Sequence, residues 1–415
     1  MSTATTEAPK LDRMMRGLPV RMQNKITRTL ENVSLVAEIR DPKVGASMLP
    51  SAYRGLWQRK GKGDDCVPMK SGHAVHFDLN YGTDFPEMYD LYRRAVANQW
   101  DGEWQLDWST AVDPMNPATP ILGHTPFVPY EGLEAAGVKL DAAEKQKLNY
   151  HFAAWMLSQF MHGEQGALYA SAQCTESVSW VDGKLYGATQ VMDEARHLEV
   201  FLRYLETKLE RVYKVNDNLF VIIDDLLTDS RWDVKFLGMQ IMVEGLALGA
   251  FSTMYNQTGE PLLKNLLRYV IQDEARHVHY GVLALREHFT KHLSAAERRE
   301  REDWAFEVAM LMRNRFFAHE IHDEWFAHRV PRATWNRLMG ESPAMTKFRS
   351  IMFQRLVPNL QYIGLLSPRM ESYYEKAGLM AYAGGKNASQ LSEQDLLRDN
   401  DALAEQAIET LRQAA

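Results

Sequence analysis

The chain has 415 residues, of which 46% are apolar and 24% are charged, a composition typical of a globular protein and not of a disordered or collagen-like one. The 47 Lys and Arg residues against 54 Asp and Glu residues give a net charge of −7, and no basic block stands out, so we expect no nucleic-acid partner. Cys66 and Cys174 are too few for a disulfide framework or a four-thiolate metal site, which favours a cytoplasmic location.

The N-terminal part of the chain, 1–140, has a mixed sequence pattern. Met1–Pro9 is small and polar and lacks the apolar core of a secretory signal. Stretches rich in glycine and proline at 61–72 and 114–129 interrupt the remainder. We therefore predict that 1–140 forms an N-terminal extension that packs on a helical body, and not a separate domain.

Residues 141–330 carry long helical periodicity, and strand signals are sparse, so we predict an all-α fold. Four long helices are expected here, at Asp141–Gln173, Tyr186–Tyr213, Arg231–Tyr255 and from Pro261 to about His288. The polar stretch Lys214–Ser230 is long enough to cross a bundle. Ser294-Ala-Ala-Glu297 is a capping box that opens a further helix, which should end before Pro331.

Two other segments bear on the organisation of the chain. Phe236–Met254 contains a single charge, Glu244, and is long enough to span a bilayer. A carboxylate near its centre favours the core of a soluble bundle, so we expect no membrane contact. Residues 331–415 should form a C-terminal helical extension, which ends in a polar amphipathic helix from Asp395 to Ala415. This tail would dock on the body or on the second subunit of a homodimer.

An internal repeat is the strongest signal in the chain. The word Asp-Glu-Ala-Arg-His occurs at 193–197 and again at 273–277, so that every number in the second copy is higher by 80. Glu164 and Glu244, each inside an apolar helix, are separated by the same interval, and each precedes the glutamate of its motif by an equal distance in the chain. The chain therefore contributes, twice, one upstream glutamate and one Glu-x-x-His pair.

This repeat has the chemistry of a metal site. Glu and His at positions i and i+3 lie on one face of a helix. Two such helices, flanked by two helices that each carry one Glu, bring together four carboxylates and two imidazoles, which are donors that suit iron or manganese. A lone Glu-x-x-His is more often a solvated helix face, but both motifs here are complete and have apolar flanks. The expected ligands are Glu164, Glu194, His197, Glu244, Glu274 and His277.

The arrangement resembles the ferritin-like superfamily of di-iron carboxylate proteins. Within it, the Asp-Glu-x-Arg-His form is similar to the bacterial multicomponent monooxygenases and to the ribonucleotide reductase small subunit. The resemblance covers about Phe152 to His288 and implies a ferritin-like four-helix bundle with two iron ions. It also implies that residues next to the ligands orient the two imidazoles. Each aspartate would act on the imidazole of the other motif, across the pseudo-twofold axis. The residues concerned are Asp193, Arg196, Asp273 and Arg276. A segment that contains Gln99-Trp100 is similar to one that precedes the first ligand helix in reductase-like oxidases.

Three positions depart from these families. Phe201 stands where the reductase carries its radical tyrosine, so a stable tyrosyl radical at this place is excluded. Leu248 stands where the multicomponent hydroxylases carry a threonine, so that hydroxyl is missing here. Val270 stands where an arylamine N-oxygenase carries a third histidine.

The resemblance implies a non-haem di-iron, O2-dependent oxidoreductase, and we favour a monooxygenase (a hydroxylase or N-oxygenase) that acts on a small organic substrate. The alternatives are an oxidase or desaturase, a reductase-like radical generator, an iron store and a non-enzymatic iron-binding helical protein; a manganese–iron pair also stays open. No nucleotide, flavin or nicotinamide fingerprint occurs, so we expect electrons from a separate reductase or ferredoxin, or from the substrate. Candidate pocket walls are Trp155, Phe160, Phe201 and Phe251.

Other polar motifs are given structural roles. His319-Glu320-Ile321-His322-Asp323 resembles a zinc-protease motif only superficially, because Asp323 stands where the second histidine would be. We expect it to form a polar, partly exposed face on the helix that opens at Ser294. Tyr280 is expected in the core with its hydroxyl bonded, and Cys174 as a small buried residue at the end of the first ligand helix.

Overall fold

The structure is a computed structural model that describes residues 17–123, 126–376 and 379–391, together with Met15, Asp395 and Leu397. No β-strand occurs in these ranges, so the all-α prediction is confirmed. The α-helices are α1 (Val20–Ala37), α2 (Pro42–Ala52), α3 (Pro86–Ala97), α4 (Tyr130–Ala135), α5 (Ala142–Ser177), α6 (Val181–Tyr204), α7 (Asp217–Thr228), α8 (Trp232–Phe236), α9 (Glu244–Gln257), α10 (Pro261–Glu287), α11 (Ala295–Arg315), α12 (His319–Trp325), α13 (Arg332–Glu341), α14 (Pro343–Tyr362) and α15 (Pro368–Lys376).

Several short segments have other helical forms. Four π-helical segments, with a wider turn than an α-helix, occur at Tyr53–Trp57, Leu205–Leu209, Leu237–Val243 and His288–His292. Single 3₁₀ turns occur at Lys60–Lys62, Met380–Tyr382 and Ala388–Gln390. Three of the π segments directly continue or precede a predicted ligand helix, and π turns are frequent near functional sites.

The first two predicted long helices are present with shifted ends. α5 begins after Asp141, whose carboxylate accepts from the backbone N–H of Glu144. The side chain of Glu144 in turn accepts from the backbone N–H of Asp141, which completes a capping box. α6 ends at Tyr204 and continues only as the π segment to Leu209, so the predicted end at Tyr213 is too late. The segment predicted as a polar crossing contains α7, a helix in which all apolar side chains except that of Ile223 are buried. The charged residues around that short apolar patch concealed its helical pattern.

The third predicted helix is a continuous helical rod with a π turn in its middle. α8 is followed by Leu237–Val243 in the π form, and α9 starts at Glu244 itself. Of the helices described, the one at Trp232–Gln257 is long and apolar enough to cross a membrane, and 94% of its most apolar window is buried inside the protein. The core of the protein therefore accounts for this apolar sequence.

The regions on either side of the four long helices share one hydrophobic core with them, which includes residues from Val44 to Ala388. The helix that opens at Ser294 ends at Arg315, and not shortly before Pro331 as predicted. Ala318, with φ of +49°, turns the chain there, and α12 starts as a separate helix. α14 then packs along α9. The predicted tail helix Asp395–Ala415 lies outside the described residues, except for Asp395 and Leu397.

Candidate metal centre

The structure brings all six predicted ligands together in the core. α5 carries Glu164, α6 carries Glu194 and His197, the first turn of α9 carries Glu244, and α10 carries the remaining pair, Glu274 and His277. No ligand residue is more than 4% exposed. Four carboxylates at this depth would be strongly unfavourable without compensating positive charge.

The six side chains form two overlapping groups. One group is Glu164, Glu194, His197 and Glu274, and the other is Glu194, Glu244, Glu274 and His277. In each group, one candidate ligand atom per residue lies within 4.8 Å of every other. Glu194 and Glu274 belong to both groups. The geometry thus offers two adjacent cation positions, each with its own glutamate and histidine and with two carboxylates in common.

The two shared carboxylates each turn one oxygen toward each histidine. Nδ1 of His197 lies 3.4 Å from Oε2 of Glu194 and 3.1 Å from Oε1 of Glu274. Nδ1 of His277 lies 3.2 Å from Oε1 of Glu194 and 3.3 Å from Oε2 of Glu274. The unshared glutamates lie nearer one ring, Glu164 Oε2 at 3.4 Å from His197 Nδ1 and Glu244 Oε1 at 4.0 Å from His277 Nδ1.

Unpartnered polar atoms support a cation at this place. Among the described residues, four buried ligand atoms of the centre have no hydrogen-bond partner: Oε2 of Glu194, Nδ1 of His197, Oε1 of Glu244 and Oε1 of Glu274. Buried polar atoms are almost always satisfied in folded proteins. Atoms of this kind that converge on one small volume are compatible with a metal site, because a bound cation would satisfy them together.

The pKa values of the candidate ligands reflect the excess of negative charge in this buried cluster. Burial, with repulsion from the neighbouring carboxylates, raises the pKa of Glu164 and Glu244 well above the ordinary value. Burial alone would lower the pKa of His277, but the charges of Glu194 and Glu274 outweigh it and raise the pKa to about 10. Without a cation, the cluster therefore retains protons, which metal binding would have to displace.

The far nitrogen of each imidazole is held by an aspartate of the opposite motif. Oδ2 of Asp273 lies 3.0 Å from Nε2 of His197, and Oδ2 of Asp193 lies 3.3 Å from Nε2 of His277. This is the crosswise arrangement expected from the pseudo-twofold axis. An N–H donated to a carboxylate from Nε2 leaves Nδ1 as the free donor atom for a metal.

The two arginines of the motifs balance these aspartates. Arg196 bonds to Asp193 of its own motif and, at 3.0 Å, to Asp273 of the other. Arg276 bonds to Asp273 and lies 3.9 Å from Asp193. Because the two aspartates and two arginines sum to zero, the four ligand carboxylates retain a formal charge of −4.

A loop after α3 contributes two residues, Gln99 and Trp100, to which the sequence assigned no role. Trp100 donates from Nε1 to Oδ2 of Asp273 at 2.7 Å. Gln99 donates to Oδ1 of Asp193 at 3.0 Å and accepts from Arg196 at 2.9 Å. The similarity of this segment to reductase-like oxidases was the one available signal. Specific roles could not be predicted, because the loop is far from either aspartate in the sequence.

Three phenylalanine rings form an apolar cluster at one end of the helical segments that carry the candidate ligands. The ring centroid of Phe160 lies 6.1 Å from that of Phe201 and 4.8 Å from that of Phe251, and the latter two are 5.7 Å apart. Each comes from a different ligand helix and lies one or two turns from a ligand. Trp155, also predicted as a pocket wall, instead donates from Nε1 to Glu320 at 2.9 Å.

The prediction of a partly exposed face at 319–323 was wrong for its two histidines, His319 and His322, which are buried. His322 is fully buried and pairs with the backbone carbonyl of Val330. Glu320 accepts from Lys62 at 2.6 Å and from Asn216, in addition to Trp155. A partner from the N-terminal extension, which is remote in sequence, covers this motif.

Two further predictions outside the ligand set are confirmed. Tyr280 and Cys174 are both buried. The Tyr280 hydroxyl donates to the backbone carbonyl of Gly183 at 2.8 Å, so it is paired as expected for a tyrosine in the core.

Comparisons with known proteins do not place the chain in a family. No protein-family model matches the sequence, and no curated protein matches it either. The geometry of the centre therefore carries the evidence on function.

Proposed function

We propose that the centre binds two iron-class ions, held by Glu164, Glu194, His197, Glu244, Glu274 and His277. The observation that carries this proposal is the sharing of Glu194 and Glu274 between two histidines, one oxygen to each side. A single ion would leave one histidine and one glutamate unused. Two divalent ions match the formal charge of −4, and the all-oxygen-and-nitrogen donor set favours iron over softer metals.

We further propose that the protein is an O2-dependent oxidoreductase, most simply a monooxygenase for a small organic molecule. When bound, such a metal pair supplies the reduction of O2. The apolar end of the centre supports the use of that chemistry on an organic substrate, because three phenylalanine rings exclude water there. Phe201 in this group cannot form a tyrosyl radical, which disfavours a reductase-like radical generator.

The chain's own residues have separable roles in this proposal. Glu194 and Glu274 would be held in common by the two ions, and Glu164 and Glu244 would each serve one of them. Asp273 and Asp193 hold the imidazoles in one orientation through Nε2. The arginines and Trp100 keep these aspartates in place by donating to them. The phenylalanines at the apolar end keep water out and provide a surface for an apolar substrate.

The proposed reaction needs a source of electrons, and the sequence shows no motif for an electron-carrying cofactor. The six ligands provide no store of electrons beyond the metals, and no flavin or nicotinamide fingerprint occurs. We propose O2 and a small molecule as substrates, with a separate reductase or ferredoxin as the electron donor. A manganese–iron pair and an oxidase or desaturase reaction share the same ligand set and are alternative outcomes of the test.

The test is single-turnover oxidation with labelled O2. Protein loaded anaerobically with ferrous iron is exposed to labelled O2 in the presence of candidate aromatic, amine and aliphatic substrates, and the products are followed by mass spectrometry. Label in an organic product supports a monooxygenase. Label in water alone, with an oxidised product, supports an oxidase or desaturase instead. Iron-loaded protein that does not consume O2 would contradict the proposed activity.

A further inference from the structure

The end of the centre opposite the three phenylalanines is polar and contains two buried glutamines. Gln190 lies on α6, one turn before Glu194, and Gln240 lies in the π segment, one turn before Glu244. Both side chains are fully buried. A buried primary amide is unfavourable unless its donors and acceptor are paired, so each contact of these residues matters to the stability of the site.

The two side-chain amides hydrogen-bond to each other, and Gln190 also donates to Glu194, a candidate ligand shared by both cation positions. Gln190 donates from Nε2 to Oε1 of Glu194 at 2.9 Å and to Oε1 of Gln240 at 3.1 Å. Gln240 donates back from Nε2 to Oε1 of Gln190 at 2.8 Å. A carboxylate oxygen can only accept, so Gln190 must turn its amide nitrogen toward Glu194, and this fixes the orientation of both amides.

The outer side of the pair is held by two further residues. The side chain of Gln240 also lies beside the fully buried thiol of Cys174 on α5. Gly281 on α10 faces Gln240 so closely that a Cβ at position 281 would overlap with Cβ of Gln240. The absence of a side chain at position 281 is therefore required for Gln240 to occupy its place.

We propose that Gln190 is a positioning residue for the bridging carboxylate of Glu194, and that Gln240, Cys174 and Gly281 hold Gln190 in place. This inference rests on the proposed two-metal centre. The amide contacts Oε1, the oxygen of Glu194 that faces His277. It therefore acts unequally on the two metal positions, and the ion beside Glu244 and His277 is the one most affected. Glu274 has Val270 in place of an amide one turn earlier and lacks this support.

The test measures metal binding and not turnover. Full-length protein is titrated with Co²⁺ under anaerobic conditions, with the visible absorption of the bound ion as the readout. Gln190→Leu should weaken binding of the second ion about 10–100-fold and change its visible spectrum, while the first ion is less affected. Gln240→Leu and Gly281→Ala should change the same band to a smaller extent. The double variant Gln190→Leu, Gln240→Leu should bind as weakly as Gln190→Leu alone, because both act through one contact.

A matched control separates positioning from packing. Gln159 is a buried glutamine of α5 that bonds to the backbone of Lys214 and Asn216, away from the centre. Gln159→Leu should leave both the affinity and the spectrum of bound Co²⁺ unchanged.

The outcomes distinguish this inference from the proposed function. Wild-type protein that binds fewer than two ions contradicts the two-metal centre itself, and the positioning role with it. Wild-type protein that binds two ions, with the same affinities and spectrum in Gln190→Leu, overturns the positioning role alone. An equal change in Gln159→Leu also overturns it, since the effect would then belong to the fold in general. A circular dichroism spectrum of each variant verifies that the helices are retained.

Discussion

The two ends of the candidate metal centre differ in chemistry, although one internal repeat contributes residues to both. Residues whose numbers differ by 80 occupy equivalent places, and at four such pairs the residue at one end is apolar and the residue at the other is polar or small: Phe160 and Gln240, Phe201 and Gly281, Phe251 and Ser171, Val270 and Gln190. The phenylalanines contact each other, and the glutamines pair with each other and with Glu194. The candidate ligands are therefore the same in both halves of the repeat, whereas the residues around them are apolar at one end and polar or small at the other.

This difference leads to a division of roles. In the proposed function, the apolar end excludes water and offers a surface to an apolar substrate, so changes there should affect the reaction and leave metal binding intact. The polar end holds a ligand, so changes there should affect metal binding first. Variants of the ligands, of their aspartates, of each end and of a remote buried carboxylate test this division, in order of decreasing expected effect on the metals.

The largest effect is expected for a shared ligand. Glu274→Ala removes a donor from both cation positions, so we expect loss of at least one bound iron per chain and loss of O2 consumption, with helix content near wild type. The measurement is metal analysis of anaerobically loaded protein together with an oxygen electrode. Glu320→Gln, which alters a glutamate outside the centre whose side chain is only 10% exposed, should retain the wild-type metal content. Full turnover by Glu274→Ala would show that the site assignment is wrong.

The aspartates provide the next largest effect and compare the two motifs directly. Asp273 accepts from four side chains, Trp100, both arginines and His197, whereas Asp193 accepts from three, Arg196, Gln99 and His277. Asp273→Ala leaves more buried donors unpaired than Asp193→Ala. We expect both changes to weaken iron binding about 10–100-fold, with the larger loss for Asp273→Ala.

Metal titrations of the two aspartate variants side by side check this order. Equal affinities in both variants and the wild type would mean that the aspartates do not orient the imidazoles.

The apolar end should respond in the opposite way. Phe251→Ala removes a fully buried ring from the aromatic group and should lower the free energy of unfolding by about 3–5 kcal/mol. We expect its metal content to stay at the wild-type level, because neither of its ring contacts is a ligand. Denaturant unfolding and metal analysis on the same preparation give both quantities. A Phe251→Ala protein that loses metal while Gln190→Leu retains it would reverse the proposed division.

The smallest effect on the metals, and a distinct effect of pH, is expected at Glu320. Burial alone would raise its pKa, but Lys62 and the hydrogen bond from Asn216 outweigh this and lower the pKa to about 2. Because the folded-state pKa lies below the ordinary value of 4.5, the ionised carboxylate stabilises the protein above about pH 4.5. This contribution is lost as the pH falls toward 2.

Glu320→Gln should therefore lower the free energy of unfolding by on the order of 2 kcal/mol at neutral pH. The difference in unfolding free energy from the wild type should then shrink between pH 4.5 and 2. Denaturant unfolding at several pH values measures it, and a difference that stays constant with pH would exclude the ion pair as its cause.

The sequence predicted which six candidate ligands come together, because their geometry is local. Glu194 and His197 share a helix face by spacing alone, and the internal repeat identified their counterparts and the two upstream glutamates. The all-α class followed from the same periodicity. The π turn before Glu244 could not be predicted, because a single wide turn leaves the apolar pattern of the segment almost unchanged.

The residues that support the ligands were less predictable, for reasons of distance in the chain. Trp100 reaches Asp273 from 173 residues away, and Lys62 reaches Glu320 from 258 residues away. Neither contact leaves a local pattern. Gln190 and Gln240 each stand one helical turn before a ligand glutamate, so they could have been noticed, but their pairing depends on how α6 packs against the π segment.

The number of bound irons and their magnetic coupling test the proposed two-metal centre most directly. Protein is loaded anaerobically with enriched ferrous iron, freed of excess metal, exposed to O2 and studied by Mössbauer spectroscopy. The shared carboxylates predict about two tightly bound irons per chain, which form one magnetically coupled pair after oxidation. A folded protein that retains one iron or none, or two irons that show no coupling, would contradict the proposal that a pair of metals shares Glu194 and Glu274.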